Sequence, residues 1–275
     1  MQSTATIAGA RELFGASRRP LGFVPTMGAL HEGHLALVRR ARATCTAVGA
    51  SVFVNPLQFG PNEDLATYPR DAQEDRRKLS AAGVDVLFAP DAAEMYPPGF
   101  ATVIDVGSLG EVFEGALRPG HFRGVATVIA KLLNIVRPDS LFLGQKDAQQ
   151  AVVLRKMVAD LDVPVAVELV PTVRERDGLA MSSRNAYLDA GQRAQAPSLY
   201  GALLAVLDAL ERGSGKREAI AAGTAALSAS AKLEYLDIVD AESFAPLDRL
   251  RAPAFIVGAA RFGTTRLIDN LWVRQ

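Results

Sequence analysis

Apolar residues recur along this chain in two rhythms. The short runs LGFVP (21–25), ASVFV (50–54), VDVLFA (84–89), SLFL (140–143) and PVAVELV (164–170) are rich in β-branched or aromatic residues. Gly, Pro or Asn bounds them, which predicts strands. Between them lie four stretches, 33–46, 71–82, 123–136 and 147–160, that carry apolar residues three and four apart. In the last, Val152, Leu154, Arg155, Val158 and Leu161 are read as a stripe at three- and four-residue spacing with charges on the other side, the pattern of an amphipathic helix. Strand alternating with helix predicts a parallel sheet with crossover helices, so the expected class is α/β.

The rhythm changes near residues 171–176. A polar stretch, RERDGLAMSSRN, is followed by an alanine-rich helical region over 190–210, the turn GSGKRE, and another helix to about residue 230. Three more strands are predicted at 233–239, 254–260 and 265–269. Helices and then strands point to a separate, smaller α+β unit with no disordered linker before it. There are no internal repeats.

Composition narrows the classes. With 49% hydrophobic and 22% charged residues, the chain reads as globular rather than disordered. Thirty basic residues balance thirty acidic ones, so there is no global field to draw nucleic acid. The single cysteine, Cys45, excludes an intramolecular disulfide and a thiolate zinc cluster, and is expected inside a helix as a small apolar residue. No apolar stretch approaches the roughly 20 residues that span a bilayer. The start, MQSTATIAGARELF, lacks a basic segment followed by an apolar core, so the cytoplasm is the expected compartment.

Parallel sheets bind ligands at the carboxyl ends of their strands. TMGALHEGH (26–34) follows the first run there, with two of the chain's three histidines three residues apart. Small residues let backbone approach a ligand, and a helix start offers free N–H groups to an anion. His31 and His34 either add donors to such a site or satisfy local hydrogen bonds. A zincin-type metal site needs histidines four apart with glutamate between, which is absent. No G-x-G-x-x-G follows the first strand, and LERGSGKR (210–217) misses two P-loop positions, leaving Lys216 as a solvated turn residue. FLGQKDAQQ (142–150) reads either as a helix N-cap at Asp147 beside a solvated Lys146, or as a nucleotide site with carboxylate on ribose and ammonium on phosphate. GLAMSSRN (178–185) reads either as a polar surface turn or as three phosphate donors, with Arg184 able to make a two-point contact. VNPLQFGP (54–61), and RPGHFRGVATV (118–128) with His121, fit the same site or serve only local turns.

Taken together, VPTMGALHEGH, VFVNPLQFGPNEDLATYPRD, RPGHFRGVATV, LGQKDAQQ and VPTVRERDGLAMSSRNAYLD resemble, in order and spacing, the motifs of the pantothenate synthetase family. The likeness runs from about Leu21 to Leu188; beyond it the chain fits mainly in length and character. The family is similar to class I aminoacyl-tRNA synthetases and nucleotidyltransferases, which share the H-x-G-H pair and a mobile loop like M-S-S-R. The resemblance implies a Rossmann-like ATP- and pantoate-binding domain over 1–172 and a small α+β lid domain over 173–275. It implies ATP-dependent condensation of pantoate with β-alanine through pantoyl adenylate, releasing AMP and pyrophosphate.

Residue by residue, the resemblance would place Met27, Gly28, Ala29, Leu30, His31, Glu32, Gly33 and His34 along the ATP phosphates, with His34 the proton donor and His31 its partner. Gly144, Gln145, Lys146 and Asp147 would hold ATP, Lys146 on phosphate and Asp147 on ribose. Val173 would touch adenine, and Met181, Ser182, Ser183 and Arg184 would close over the nucleotide. Gln58 would bind pantoate and lie near β-alanine; Gln150 would hold pantoate from the other side. His31, His34, Lys146, Ser182, Ser183 and Arg184 form the implied catalytic set. Mg²⁺ would come with ATP, without protein side-chain ligands. A cytoplasmic homodimer is implied, with neither nucleic acid nor membrane as partner. Gln145 stands where many members have glutamate, and Ala148 where many have an aromatic residue.

Overall fold

The computed structural model describes residues 1–61 and 63–274; Asn62, inside the second motif, lies outside the described residues. The chain folds as two compact units, one of Met1–Gly144 with Val153–Val170, the other of Gln145–Val152 with Pro171–Gln275.

The first unit runs β1 (Gln2–Thr4), α1 (Ile7–Gly15), β2 (Leu21–Thr26), α2 (Glu32–Thr44), β3 (Ala47–Val52), α3 (Ala72–Ala81) and β4 (Val86–Phe88). Short helices α4 (Ala92–Met95) and α5 (Glu114–Leu117) lead to α6 (His121–Val136), β5 (Ser140–Gly144), α7 (Ala148–Asp160), whose first turn groups with the second unit, and β6 (Ala166–Val170). All six strands are parallel, in the order β1-β4-β3-β2-β5-β6. Val24, Val48, Ala50, Leu87 and Phe142 of the sheet pack with Leu37, Val38 and Ala41 of α2 and Leu79 of α3 in one core cluster. Burial on both faces explains why β2 reads as a continuous apolar run rather than an alternating one.

The strand order reverses beside β2, with β3 on one side and β5 on the other, which is where an open sheet offers its ligand crevice. Pairing of β2 with β3 runs from Leu21↔Ala47 to Thr26↔Val52, but β2 pairs with β5 only at Gly22↔Ser140 and Phe23↔Leu141. Pro25 accounts for the difference. The oxygen of Leu21 accepts from Asp139 on the β5 side and that of Thr26 from Phe53 on the β3 side. By alternation Pro25 faces β5, where its ring has no N–H to give. The two strands therefore stop pairing before their carboxyl ends.

The second unit holds α8 (Ala190–Gln195), α9 (Ser198–Glu211), α10 (Lys216–Ala226) and an antiparallel sheet β7 (Ala231–Asp240), β8 (Ala254–Phe262), β9 (Thr265–Val273), in that order. Leu203 and Val206 of α9 meet Ile238 and Ile256 of the sheet in its core.

Several elements differ from the sequence expectation. The helical region 190–210 is two helices, because Pro197 between them cannot continue the hydrogen-bond ladder. β1 and α1 were not expected, and β3 begins three residues earlier than the apolar run it was read from. Cys45 follows α2 as its C-cap instead of lying inside it, though it does join the core. Lys216 is no solvated turn residue: it opens α10 and pairs with Asp237 at 2.6 Å.

Candidate active site

The loop after β2 is built for close hydrogen bonding. Gly28 and Ala29 both take left-handed backbone conformations, φ +85° and +51°. That double turn brings the N–H groups of Ala29 and Leu30 onto the Asp75 carboxylate of α3, at 3.0 and 2.8 Å. Asp75 is only 3% exposed. A Cβ on Gly28 would stand 2.8 Å from its Oδ2, so glycine is required for space as well as for φ. Lys78, one turn along α3, donates to the oxygen of Leu30 at 2.7 Å.

His31 is then the N-cap of α2. Its Nδ1 accepts from the N–H of Gly33 at 3.1 Å, while its own backbone N–H donates to His34 Nδ1 at 3.3 Å. This is a capping box made of two imidazoles, whose ring centroids lie 4.1 Å apart. A backbone N–H can only donate, so both Nδ1 atoms are acceptors, and in the neutral rings each proton sits on Nε2. The fold thus selects one tautomer for the pair. Met27, Ala29, Gly33 and both histidines are half-buried, Gly28 and Leu30 are buried, and Glu32 is exposed, paired with Arg39 at 2.7 Å.

Gln58 lies in the same unit at the end of a 3₁₀ turn, Pro56–Gln58, and is 8% exposed. Its Nε2 donates to Met27 Sδ at 3.0 Å, which ties it to the histidine loop. Its Oε1 accepts from Asn55 Nδ2 at 3.0 Å; Asn55 also donates to the oxygen of Gly124 and accepts from the Tyr96 hydroxyl at 2.7 Å. Burial pushes the Tyr96 phenol well above its usual range, so it stays a donor. A Cβ on Gly124 would meet the Leu57 oxygen at 2.2 Å, so only glycine lets α6 approach this turn. His121 Nδ1 donates to the Gln58 backbone oxygen at 2.8 Å, and Arg118, paired with Glu63 at 2.5 Å, lies 3.2 Å from its Nε2. Burial first, then the Arg118 charge, pulls the His121 ring down to about 4, which keeps it neutral. The third histidine thus braces the loop that carries Gln58.

The second unit gathers the remaining residues apart from Gly144, which belongs to the first. Gly144 ends β5, and Gln145–Asp147 form a 3₁₀ turn. Lys146 Nζ lies 3.4 Å from Asp147 Oδ1, with side chains 21% and 47% exposed. The Gln145 side chain is buried and donates to Asn270 Oδ1 at 3.2 Å. Gln150, on α7, is half-buried. The Met181 N–H donates to the Val173 oxygen at 3.0 Å, closing a short hairpin beside the Arg174↔Ala180 bridge. Ser182 caps the next 3₁₀ turn, Ser183–Tyr187, its Oγ accepting from the N–H of Arg184 at 3.3 Å. Lys146 and Ser182 line one cleft with Asp269 and Tyr200.

Met27, His31, His34 and Gln58 are therefore joined within the first unit, and the Lys146 turn and the serine–arginine loop within the second. Sequence reasoning missed Asp75, Asp269 and Asn270, and left Asn55 open between the site and a local turn. Asp75 left one signal: it sits four residues before buried Leu79, so a carboxylate occupies the helix face turned to the core. Asp269 and Asn270 left another, two successive polar residues in an apolar strand.

An open parallel sheet whose order reverses beside its central strand, with a polar loop built at that strand's carboxyl end, defines an α/β ligand-binding protein. A family model described as pantoate-beta-alanine ligase matches residues 2–272, and the chain belongs to that family. It is 54% identical to a pantothenate synthetase of Chloroflexus aurantiacus, over 93% of this chain and 92% of the relative. It is 53% identical to the pantothenate synthetase of Thermus thermophilus, over 99% of each. A crystal structure of the Thermus thermophilus enzyme superposes with a TM-score of 0.96 over 100% of both chains, at 52% identity. A pantoate-beta-alanine ligase from Francisella tularensis, complexed with beta-gamma ATP and beta-alanine, superposes with a TM-score of 0.82, at 34% identity over 99% of this chain and 97% of that one. Among the described residues no helix is long and apolar enough to cross a membrane.

Proposed function

We propose that this chain condenses pantoate with β-alanine at the expense of ATP, through pantoyl adenylate. The observation that carries the reading is the reciprocal histidine cap, which fixes two Nε2–H donors at the carboxyl end of the central strand. In the first step a pantoate carboxylate oxygen attacks the α-phosphorus in line, and the bond to pyrophosphate breaks. Negative charge then grows on the departing pyrophosphate. Donors fixed in advance stabilise that charge more than they stabilise bound ATP. We assign this work to His34 as proton donor, His31 as its partner, and Lys146, Ser182, Ser183 and Arg184. In the second step the amine of β-alanine attacks the acyl carbon, loses a proton, and AMP departs. Neither step needs a covalent bond to the enzyme; positioning supplies the rest.

The other residues have binding roles in this reading. The 27–34 loop lines the phosphates, its turn held by the bonds from the Ala29 and Leu30 N–H groups to Asp75. Gly144 and Gln145 contribute backbone, Asp147 holds ribose, and Val173 and Met181 touch the nucleotide. Gln58 and Gln150 hold pantoate, since an amide both donates and accepts without adding charge to a hydroxy acid. Mg²⁺ would come as a companion of the triphosphate, because it is commonly held by phosphates and water. When bound it neutralises phosphate charge. The second unit serves as the lid. The same resemblance carries a homodimer working in the cytoplasm, and sedimentation velocity checks the dimer.

ATP–pyrophosphate exchange measured with and without pantoate, followed by amide formation from β-alanine, tests the reaction. Exchange that ignores pantoate would point to a nucleotidyltransferase with another acceptor. Absence of any turnover would leave a nucleotide-binding module.

A further inference from the structure

β9 sets two buried polar residues in succession, Asp269 and Asn270, 5% and 2% exposed. Asn270 Nδ2 donates to the backbone oxygens of both Gln145 and Lys146, at 2.9 Å each, and its Oδ1 accepts from Gln145 Nε2. Asp269 takes the Arg174 guanidinium at two points, 2.6 and 2.9 Å, and accepts from the N–H of Asn270 at 2.8 Å. Arg174 also donates to the oxygens of Gly178 and Asn270, at 3.1 and 3.2 Å, and lies 3.7 Å over the Tyr200 ring. The cluster therefore ties β9 to two segments, the 145–146 turn and the 174–180 hairpin. The first carries Lys146 and the second leads into Ser182.

Stability alone does not account for such a cluster. Well-packed apolar residues in place of a buried ion pair are often neutral or stabilising, because the charges must be stripped of water. What the cluster adds is fixed distance. Asn270 cannot bond to two successive carbonyls unless the 145–146 turn holds one conformation, and Arg174 cannot reach Asp269, Gly178 and Asn270 unless the hairpin does the same.

We propose that Asp269 and Asn270 are positioning residues for the reaction: Asn270 aims Lys146, and Asp269, through Arg174, aims the Ser182–Arg184 loop, so that two sets of phosphate donors keep a set separation. Each acts through the segment it holds. The inference rests on the reading of Lys146 and Arg184 as phosphate ligands.

Pantoate-dependent ATP–pyrophosphate exchange by the full chain tests it, in Asn270→Ala, Lys146→Ala and the double variant. A displacement of about 1 Å costs on the order of 100-fold in rate, so Asn270→Ala should lower kcat roughly 30- to 100-fold. In the Lys146→Ala background the same change should cost no more than about 3-fold, because the group it aims is gone. Losses that multiply in the double variant would overturn the proposal and leave Asn270 a general support of the fold. Asn270→Asp keeps the volume but turns an acceptor toward two carbonyls, and should show the same dependence on Lys146; it decides the matter if the alanine variant does not fold. Asp269→Asn should depend in the same way on Arg184→Ala, and independence there would overturn the second arm. A Lys146→Ala enzyme at full rate would remove the phosphate reading and this inference with it, whereas an impaired Lys146→Ala with multiplying losses refutes the positioning role alone.

Discussion

Removing the Asp75 carboxylate should disable the histidine loop without touching a histidine. Asp75→Ala strands two backbone N–H groups, of Ala29 and Leu30, that lie against a side chain only 3% exposed. A buried donor left unsatisfied costs about 1–3 kcal/mol, so the pair should cost about 3 kcal/mol with Ala29 only partly buried. For a unit of this size each kcal/mol lowers Tm by about 2–4 °C, which puts the expected drop at roughly 6–12 °C. The activity loss should be larger in proportion, on the order of 10- to 100-fold in kcat, because His31 follows the freed turn directly. Asp75→Asn can satisfy one N–H at most and should fall between. Gly28→Ala supplies a cross-check. It suffers from φ +85° and from a Cβ 2.8 Å from Asp75 Oδ2, and only the second penalty vanishes in the Asp75→Ala background. Thermal melts and pyrophosphate exchange on the four variants decide the matter. An Asp75→Ala protein that melts within about 2 °C of the parent and exchanges within about 2-fold would refute the reasoning.

Three further outcomes are expected. His34→Ala should cut turnover far more than it weakens ATP binding; equal losses in both would contradict a role confined to the transition state. Gln58→Ala and Gln150→Ala should raise pantoate KM, on the order of 10-fold, and unchanged pantoate kinetics in either would count against its assignment. Finally, the His121 ring is held near 4 by burial, against an ordinary 6.5, so the unfolded chain takes up a proton that the folded one refuses. Its contribution to stability is complete above about pH 6.5, shrinks as pH falls, and is gone below about pH 4. His121→Asn, whose amide can still donate to the Gln58 oxygen, should flatten that part of the pH–stability profile; superimposable profiles would argue against it.

What the sequence showed and what it hid divide along physical lines. β2 and β5 are buried on both faces, and their apolar runs announced them. β1 is the polar triplet Gln2–Thr4 at the sheet's edge, recognisable only from its pairing with Val86–Phe88. β3 was read late because Gly49 dilutes its apolar start. In the fold that glycine lies under the Phe14 ring, where a Cβ would come within 2.4 Å, so it is a packing requirement rather than a break. The candidate site side chains stood out because their types cluster in short motifs. The groups that hold them were not, since Asp75 and Asn270 act on backbone 45 and 125 residues away. A one-dimensional cut at 172/173 likewise had no means of grouping Gln145–Val152 with the second unit.

The three-residue interval between His31 and His34, which counted against a metal site, is the interval of a helix start. On the proposed reading the pair has two occupations at once, and mutational loss of either histidine confounds them: a dead enzyme is either one that lost a proton donor or one whose α2 begins in the wrong place. The two can be pulled apart. His31→Ser with His34→Gln writes an ordinary serine–glutamine box at the same positions, keeping the helix start and erasing the imidazoles without setting a carboxylate against the phosphates. Such a protein would be an inert twin, folded and ligand-ready, on which binding could be measured with no reaction running beneath it.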